Sequence, residues 1–452
     1  MIFFFLILVC RHPLNMIEKD IHQLCEMQSR KRYQNNGFKL LAIQRVINSK
    51  GIYPEIALAI DALKKITGEQ VIFTIESSGL HAWLLLMDAL VTGNQTWFSQ
   101  AYKNWLNLSQ DDYERQLIAY IVKISEAHTN GLQYFQNNTD RQFNDGPFSF
   151  DGLGYALEPG YDCSERKLFG EALGGDYFPM PKIDHGLYVN NWSPSLLANF
   201  KGMETMERLN DPGEIIDFSK TLREAILLIK AYSDLRYKEI QSLLREIVVC
   251  KSSKPYTFPS GSCTLTPVAV YLTATSNCEM AAELLIHELG HIKFSIWDAE
   301  NPILGDMEHA LKWDDEAWYS PWRDEPRSLM GILHAMYVFV DVAEFHAHRI
   351  KTVSSDKEFS IRRFNTIVLQ LKKAYEVNQF RHFLNKNGLV LFDELYKKIQ
   401  GFINLLNLSC ISLEKPLYAE RHSRWDFEGL TIGKAIYSHH EWVVNKHQGV
   451  FA

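Results

Sequence analysis

The chain has 452 residues, of which 46% are hydrophobic and 22% charged, and its formal net charge at pH 7 is −7. This composition is that of a globular protein with a sizeable buried core. The negative charge argues against nucleic acid or an anionic membrane surface as a partner, because both favour a basic protein face.

The cysteines and the N-terminal residues indicate where the protein works. Seven cysteines are scattered without a CxxC pair, which argues against a disulfide framework and a cysteine metal cluster and indicates reduced thiols. The apolar run MIFFFLILVC is too short to cross a bilayer and lacks the features of a signal peptide. We treat residues 1–15 as an apolar extension and expect the natural start at Met16. The protein is therefore expected to be soluble and cytoplasmic.

The predicted elements in the first half of the chain are mostly helices. Apolar residues at helical spacing recur between residues 16 and 145, with a short strand predicted at 70–75. Residues 136–200 are rich in Gly, Asn, Asp and Pro and are predicted to form long loops. Helix is predicted again over 213–250, and the β-branched stretch at 263–275 is predicted to be a buried strand.

The second half adds further helices without a clear domain boundary. An apolar helix is predicted over 328–350, and two more helices are predicted over 361–410, joined around NKNG. No linker rich in Pro or Ser interrupts the chain. We therefore predict an α+β fold, mostly α with a small β-sheet, and a single catalytic unit over residues 16–452.

The pentapeptide HELGH, residues 287–291, is the first chemical motif. Ser276 and Glu279 fit a capping box and predict that a helix begins there. His287 and His291, four residues apart, share one helix face with apolar residues, so both are predicted to be buried. Two imidazoles at this spacing can bind one metal ion.

The motif alone leaves the metal open. A zinc peptidase uses such a site with a third protein ligand and with Glu288 as general base. The extended HExxHxxGxxH form is excluded, because Phe294 and Trp297 occupy the Gly and His positions, whereas a form with a downstream Glu ligand stays open. Imidazole also suits Fe(II) in oxygenases. The spacing within HELGH does not separate zinc from iron.

A second motif, YSPWRDEPRSLMGILHAMYVFVDVAEF, occupies residues 319–345. Arg323 and Arg327 bracket a short acidic loop, and a guanidinium group is well suited to hold a carboxylate through two hydrogen bonds. These arginines are candidates for binding an acidic small molecule. The alternative is an ordinary surface ion pair with the acidic residues between them.

The apolar helix after this loop carries His334, Asp341 and Glu344 among its ionisable residues. Burying an ionisable group without a partner is costly, so these side chains are predicted to be paired or bound to metal.

The two motifs in tandem resemble the 2-oxoglutarate-dependent HExxH-type peptide β-hydroxylases, also described as HExxH-motif peptide-modification proteins. That family joins HExxH and a following Lys to a W-R-x-[DE]-P-R-P loop and a G-x-L-[HQ]-x-x-Y helix that ends in V-A-[DE]-F. The residues outside HELGH that match this pattern are Lys293, Trp322, Arg323, Pro326, Arg327, Gly331, His334, Tyr337, Val342, Ala343, Glu344 and Phe345. The sequence departs at Ser328 and His346, where Pro and Trp are usual. The match covers residues 276–350.

The resemblance implies a mononuclear Fe(II) centre with His287 and His291 as ligands. His334 is our prediction for the third ligand, and Glu344 is the alternative that would complete a set of two histidines and one carboxylate. The resemblance also implies that Arg323 or Arg327 binds the far carboxylate of 2-oxoglutarate. Glu288 is then expected to orient a ligand or a bound water.

The expected reaction uses molecular oxygen to hydroxylate a side chain, at the β-carbon, of a ribosomally made precursor peptide. Because the motif lies on a core helix, the fold is not expected to be the cupin or double-stranded β-helix of common 2-oxoglutarate oxygenases. The first alternative is a cytosolic zinc metallopeptidase with Glu288 as general base. The second is a non-enzymatic binding protein that keeps a closed structural metal site.

Overall fold

The computed structural model describes nine longer stretches of the chain and some short pieces between residues 54 and 190. The longer stretches are residues 16–51, 206–209, 211–253, 257–263, 268–305, 318–323, 327–352, 357–377 and 380–408. Our predictions for residues 1–15, for a strand at 70–75 and for helix up to residue 145 beyond these stretches lie outside the described residues.

The described elements are mostly helical, with a small mixed sheet, as the sequence predicts. The helices are α1 (Met16–Lys50), α2 (Pro212–Tyr232), α3 (Asp234–Leu243), α4 (Cys278–Glu300), α5 (Leu329–Thr352), α6 (Glu358–Val377) and α7 (Lys386–Leu408). The strands are β1 (Ala156–Leu157), β2 (Tyr177–Phe178), β3 (Lys182–Asp184), β4 (Leu187–Asn190), β5 (Met206–Arg208), β6 (Glu246–Ser252), β7 (Ser260–Ser262) and β8 (Ala269–Thr273). The described strands form no double-stranded β-helix.

The chain divides into two compact units. One comprises Cys25–Ile292 and contains the mixed sheet, so we call it the sheet unit. The other comprises Met1–Leu24 and Lys293–Ala452, and we call it the helical unit. This division could not be predicted from the sequence, because it passes through α4 and no linker rich in Pro or Ser marks it. That residues 16–452 act as one catalytic unit remains a prediction.

The sheet unit is built around the parallel pair β6 and β8. The strand order is β3-β4-β6-β8-β7, and β5 pairs antiparallel with the end of β6. Strand β4 runs parallel to β6, whereas β7 runs antiparallel to β8 with Ser260 opposite Leu272. Every residue of β8 is buried, as expected for a β-branched and apolar central strand.

The prediction of continuous helix over 213–250 is wrong at its end. Ser233 separates α2 from α3, accepting at its side chain a hydrogen bond from the backbone N–H of Arg236. The last residues, EIVVCKS, form β6. Two adjacent valines favour a strand, and the ladder to β8 satisfies their backbone groups.

In the helical unit, α5 is the central helix and packs against α6 and α7. By length and composition this helix could cross a membrane, yet 72% of its most apolar 18-residue stretch is buried inside the protein. This packing accounts for its apolar character, as in a core helix of a soluble protein. Its bounds, Leu329–Thr352, confirm the predicted helix over 328–350.

Asn385 sets the start of α7, at the NKNG junction predicted from the sequence. Its side-chain oxygen accepts hydrogen bonds from the backbone N–H groups of Asn387 and Gly388. Its amide nitrogen donates to the carbonyls of Pro302 and Leu304. One asparagine therefore caps the helix and fastens the segment that follows α4.

Candidate metal centre

Four residues separate the end of the buried strand β8 from the start of helix α4. The cap is Asn277, whose side-chain oxygen accepts hydrogen bonds from the backbone N–H groups of Glu279 and Met280. The predicted capping box from Ser276 is therefore wrong by one residue. Asn and Ser are comparably good caps, and sequence spacing alone does not choose between neighbours.

The two histidines of α4 lie at the border of the buried face. The fully buried side chains on this part of the helix are Ala281, Ala282, Leu285, Ile286 and Leu289. His287 and His291 are half-buried, and the His287 side chain is 22% exposed. The prediction that both histidines are buried is therefore confirmed only in part.

The ring nitrogens of the two histidines face each other. The Nε2 atoms are 3.1 Å apart, and the ring planes are inclined by 77°. Two nitrogen ligands at about 2.1 Å from one ion lie roughly 3.0–3.4 Å apart, for octahedral to tetrahedral angles. The donor set therefore fits one bound transition metal ion and does not by itself select zinc or iron.

Glu288 completes a group of three donors. Its carboxylate lies with the two Nε2 atoms such that all three ligand atoms are within 4.8 Å of one another. Oε1 of Glu288 is 3.9 Å from Nε2 of His287. Unlike the histidines, Glu288 is buried, and its Oε1 accepts a hydrogen bond of 2.6 Å from the Ser260 hydroxyl. Such a carboxylate can orient a metal-bound water or take a proton from it.

Sequence reasoning missed Ser260. This residue lies on β7, 28 positions before Glu288, and a Ser-Gly-Ser stretch carries no recognisable signal of its own. Only the pairing of β7 with β8, which precedes α4, brings the hydroxyl to the motif.

The loop with the two arginines is closed at its base. Trp318 and Arg327 exchange two backbone hydrogen bonds of 2.9 Å, and the carbonyl of Pro321 accepts one from the Gln370 side chain. These bonds lie within the helical unit. They hold the ends of the loop together, which limits the positions that its side chains can take.

The two arginines differ in exposure. Arg323 is exposed, whereas Arg327 is half-buried, and residues 324–326 between them lie outside the described stretches. Trp322 stacks on Phe339 of α5 with parallel rings at 5.2 Å. Since charge pairs are weakened by water, the more sheltered Arg327 is the better anchor for an anion.

The sequence departure at Ser328 has a structural explanation. The Ser328 hydroxyl accepts a hydrogen bond of 3.1 Å from the backbone N–H of Gly331 and so caps α5. A Cβ at Gly331 would lie 3.1 Å from that hydroxyl and 3.7 Å from Nε of Arg327. The glycine therefore leaves room for the cap, whereas the approach to the arginine would be an ordinary van der Waals contact.

His334, the predicted third ligand, is buried on α5 in the helical unit. Its ring stacks on Phe294 with centroids 4.4 Å apart. In the same unit, the ammonium group of Lys293 lies 3.6 Å from the Asp341 carboxylate, and both side chains are almost fully buried. Asp341 is thus paired, as expected for a buried acid.

Glu344, the alternative third ligand, has a cationic partner. Nζ of Lys398 lies 3.0 Å from its carboxylate and 3.2 Å from that of Glu18. Burial raises the pKa of Glu344, while Lys398 opposes this shift. A metal ion would have to compete with Lys398 for this carboxylate, which makes a structural role the simpler account of Glu344.

The structure thus brings together His287, Glu288 and His291 in the sheet unit. Arg323, Arg327 and His334 belong to the helical unit, and their part in a shared site remains a prediction. A comparison with protein-family models and with curated proteins finds no match for this chain. The function must therefore be inferred from the donor geometry and the two motifs.

Proposed function

We propose that this chain is an Fe(II)- and 2-oxoglutarate-dependent oxygenase that hydroxylates a side-chain carbon, the β-carbon, of a ribosomally made peptide in the cytoplasm. The observation that carries the proposal is the approach of the His287 and His291 Nε2 atoms to 3.1 Å beside a carboxylate. The resemblance of the HELGH and arginine-loop motifs supports iron and 2-oxoglutarate over other uses of such a group.

Each residue has a defined task in this proposal. His287 and His291 hold the ion, and His334 is the proposed third ligand. Fe(II), with 2-oxoglutarate and molecular oxygen, supplies the oxidation of an unactivated C–H bond. Glu288 accepts a hydrogen bond from water or substrate at the ion.

The arginine loop is assigned to the cosubstrate. A guanidinium group forms two parallel hydrogen bonds with a carboxylate, which fixes both the position and the orientation of the acid. Arg327 is our choice for the far carboxylate of 2-oxoglutarate because it is more sheltered than Arg323. The closed base of the loop supports this task by limiting the movement of the arginine.

A zinc metallopeptidase is the second candidate, because the position of Glu288 also suits a general base. The Glu288 carboxylate is 3.9 Å from Nε2 of His287, close to where a general base would meet a metal-bound water. This candidate needs neither 2-oxoglutarate nor the arginines. It predicts peptide cleavage by the zinc-loaded protein.

A turnover assay separates the two candidates. The purified protein is incubated in air with Fe(II) and 2-oxoglutarate, and succinate is measured by mass spectrometry. Parallel samples contain Zn(II) and a mixture of unmodified peptides. Succinate that requires both iron and protein supports the oxygenase. Cleaved peptides with zinc, without succinate in the iron sample, would replace it with the peptidase.

Replacing Arg327 with alanine is expected to raise the KM for 2-oxoglutarate about 10- to 100-fold, the equivalent of about 1.5–3 kcal/mol for hydrogen bonds to a charged group. Arg323→Ala is expected to have a smaller effect, because Arg323 is exposed. The measurement is the rate of succinate formation against 2-oxoglutarate concentration.

The matched control for these variants is Arg362→Ala, which removes an exposed arginine paired with Glu358 on α6. It should leave the KM unchanged. An equal KM for wild type, Arg323→Ala and Arg327→Ala would contradict the assignment of the loop to 2-oxoglutarate.

A further inference from the structure

Strand β7 contacts the HELGH motif directly. The Ser260 hydroxyl donates a hydrogen bond of 2.6 Å to Oε1 of Glu288, the same oxygen that lies 3.9 Å from Nε2 of His287. Ser260 is thus linked to the metal-binding group through Glu288. All of these residues belong to the sheet unit.

Two contacts with β8 hold the backbone at Ser260 in place. In the antiparallel ladder it pairs with Leu272 of β8. The neighbouring carbonyl of Pro259 accepts a hydrogen bond of 2.6 Å from the Thr273 hydroxyl, at the end of the same strand. Because the backbone of Ser260 is held by β8, its hydroxyl presents a fixed donor to Glu288.

A fixed donor matters because Glu288 is buried. A carboxylate withdrawn from water needs hydrogen-bond donors from the protein, and each donor also restricts its rotamers. Residues that only orient a metal ligand or a catalytic carboxylate typically change metal affinity or activity about 10–100-fold when they are removed. The serine hydroxyl is therefore placed to control where the carboxylate points.

We propose that Ser260 is a positioning residue that holds the Glu288 carboxylate beside the metal-binding nitrogens of His287 and His291. The inference rests on the proposed metal centre but not on the choice between oxygenase and peptidase, because both use this carboxylate. In this proposal Ser260 acts through its hydrogen bond to Glu288.

The test compares wild type with Ser260→Ala and Ser260→Thr. Each protein is titrated with Co(II), whose visible spectrum reports the coordination of the ion. Its kcat is then measured for whichever activity the wild type shows, Fe(II)-dependent succinate formation or zinc-dependent peptide cleavage. Ser260→Ala is expected to change the Co(II) spectrum and to lower kcat about 10–100-fold. Ser260→Thr keeps the hydroxyl and suits a strand, so it should restore both readouts.

Two controls separate positioning from stability. Ser262→Ala removes a hydroxyl from the same face of β7, two residues away, and should leave spectrum and kcat unchanged. In a Glu288→Ala background, which removes the acceptor of the Ser260 hydrogen bond, adding Ser260→Ala should have little further effect, because both changes act on one interaction. Thermal unfolding of each variant shows whether the fold is retained.

The outcomes are distinct. A Ser260→Ala protein with the wild-type spectrum and kcat would overturn the inference, as would a Ser260→Thr protein that loses as much as Ser260→Ala. A wild type that binds no Co(II) would overturn the proposed metal centre itself, and the role of Ser260 with it. Loss in Ser260→Ala, with restoration in Ser260→Thr, would support the inference.

Discussion

His287→Ala is expected to bind Fe(II) or Zn(II) at least about 100-fold more weakly than wild type, since changing residues that merely orient a ligand already costs about 10–100-fold. The variant removes one of two nitrogen atoms that lie 3.1 Å apart. The measurement is metal affinity by competition with a chromophoric chelator. Formation of succinate from 2-oxoglutarate should be lost in the same variant.

The control for this prediction is His382→Ala, which removes an exposed histidine elsewhere in the chain and should bind metal as wild type does. His334→Ala should follow His287→Ala if its imidazole is the third ligand. Unchanged metal affinity and turnover in His287→Ala would refute the metal assignment.

Lys293→Met is expected to lower the free energy of unfolding by about 3–5 kcal/mol, the usual cost of removing one partner from a buried ion pair. The lysine and Asp341 are 1% and 5% exposed, so water cannot replace the missing ammonium group. The measurement is urea unfolding followed by circular dichroism.

The double variant Lys293→Met/Asp341→Leu should recover most of this loss, because it leaves no buried charge from the pair. Lys372→Met, which breaks an exposed pair with Glu376, should cost less than about 1 kcal/mol. If Lys293→Met were as stable as this surface control, the buried pair would not be contributing to the stability of the protein.

The sequence predicted those parts of the fold that depend on local pattern. The apolar spacing of LMGILHAMYVFVDVAEF gave α5 within two residues, and the β-branched stretch before HELGH gave β8. The local pattern did not determine which of two similar neighbouring residues caps a helix, or where a helix gives way to a strand. Asn277, rather than Ser276, caps α4. The residues EIVVC form a strand instead of continuing the helix, because their backbone groups pair with β8.

The candidate site was predictable only in part, for a physical reason. His287, Glu288 and His291 are adjacent on one helix, so their spacing determines that they meet. Ser260 reaches Glu288 through strand pairing, which is a long-range contact that local sequence does not encode. Likewise, α7 brings Lys398 to Glu344 through a long-range contact that local sequence does not encode.

The central claim is that the chain binds Fe(II) and 2-oxoglutarate together. The most direct measurement is anaerobic reconstitution with Fe(II), followed by 2-oxoglutarate titration monitored by visible absorption, in which an iron–keto-acid complex gives a weak charge-transfer band. The account predicts a band in wild type that is absent from His287→Ala and much weakened in Arg327→Ala. No band in wild type, with tightly held zinc instead, would contradict it and favour the metallopeptidase.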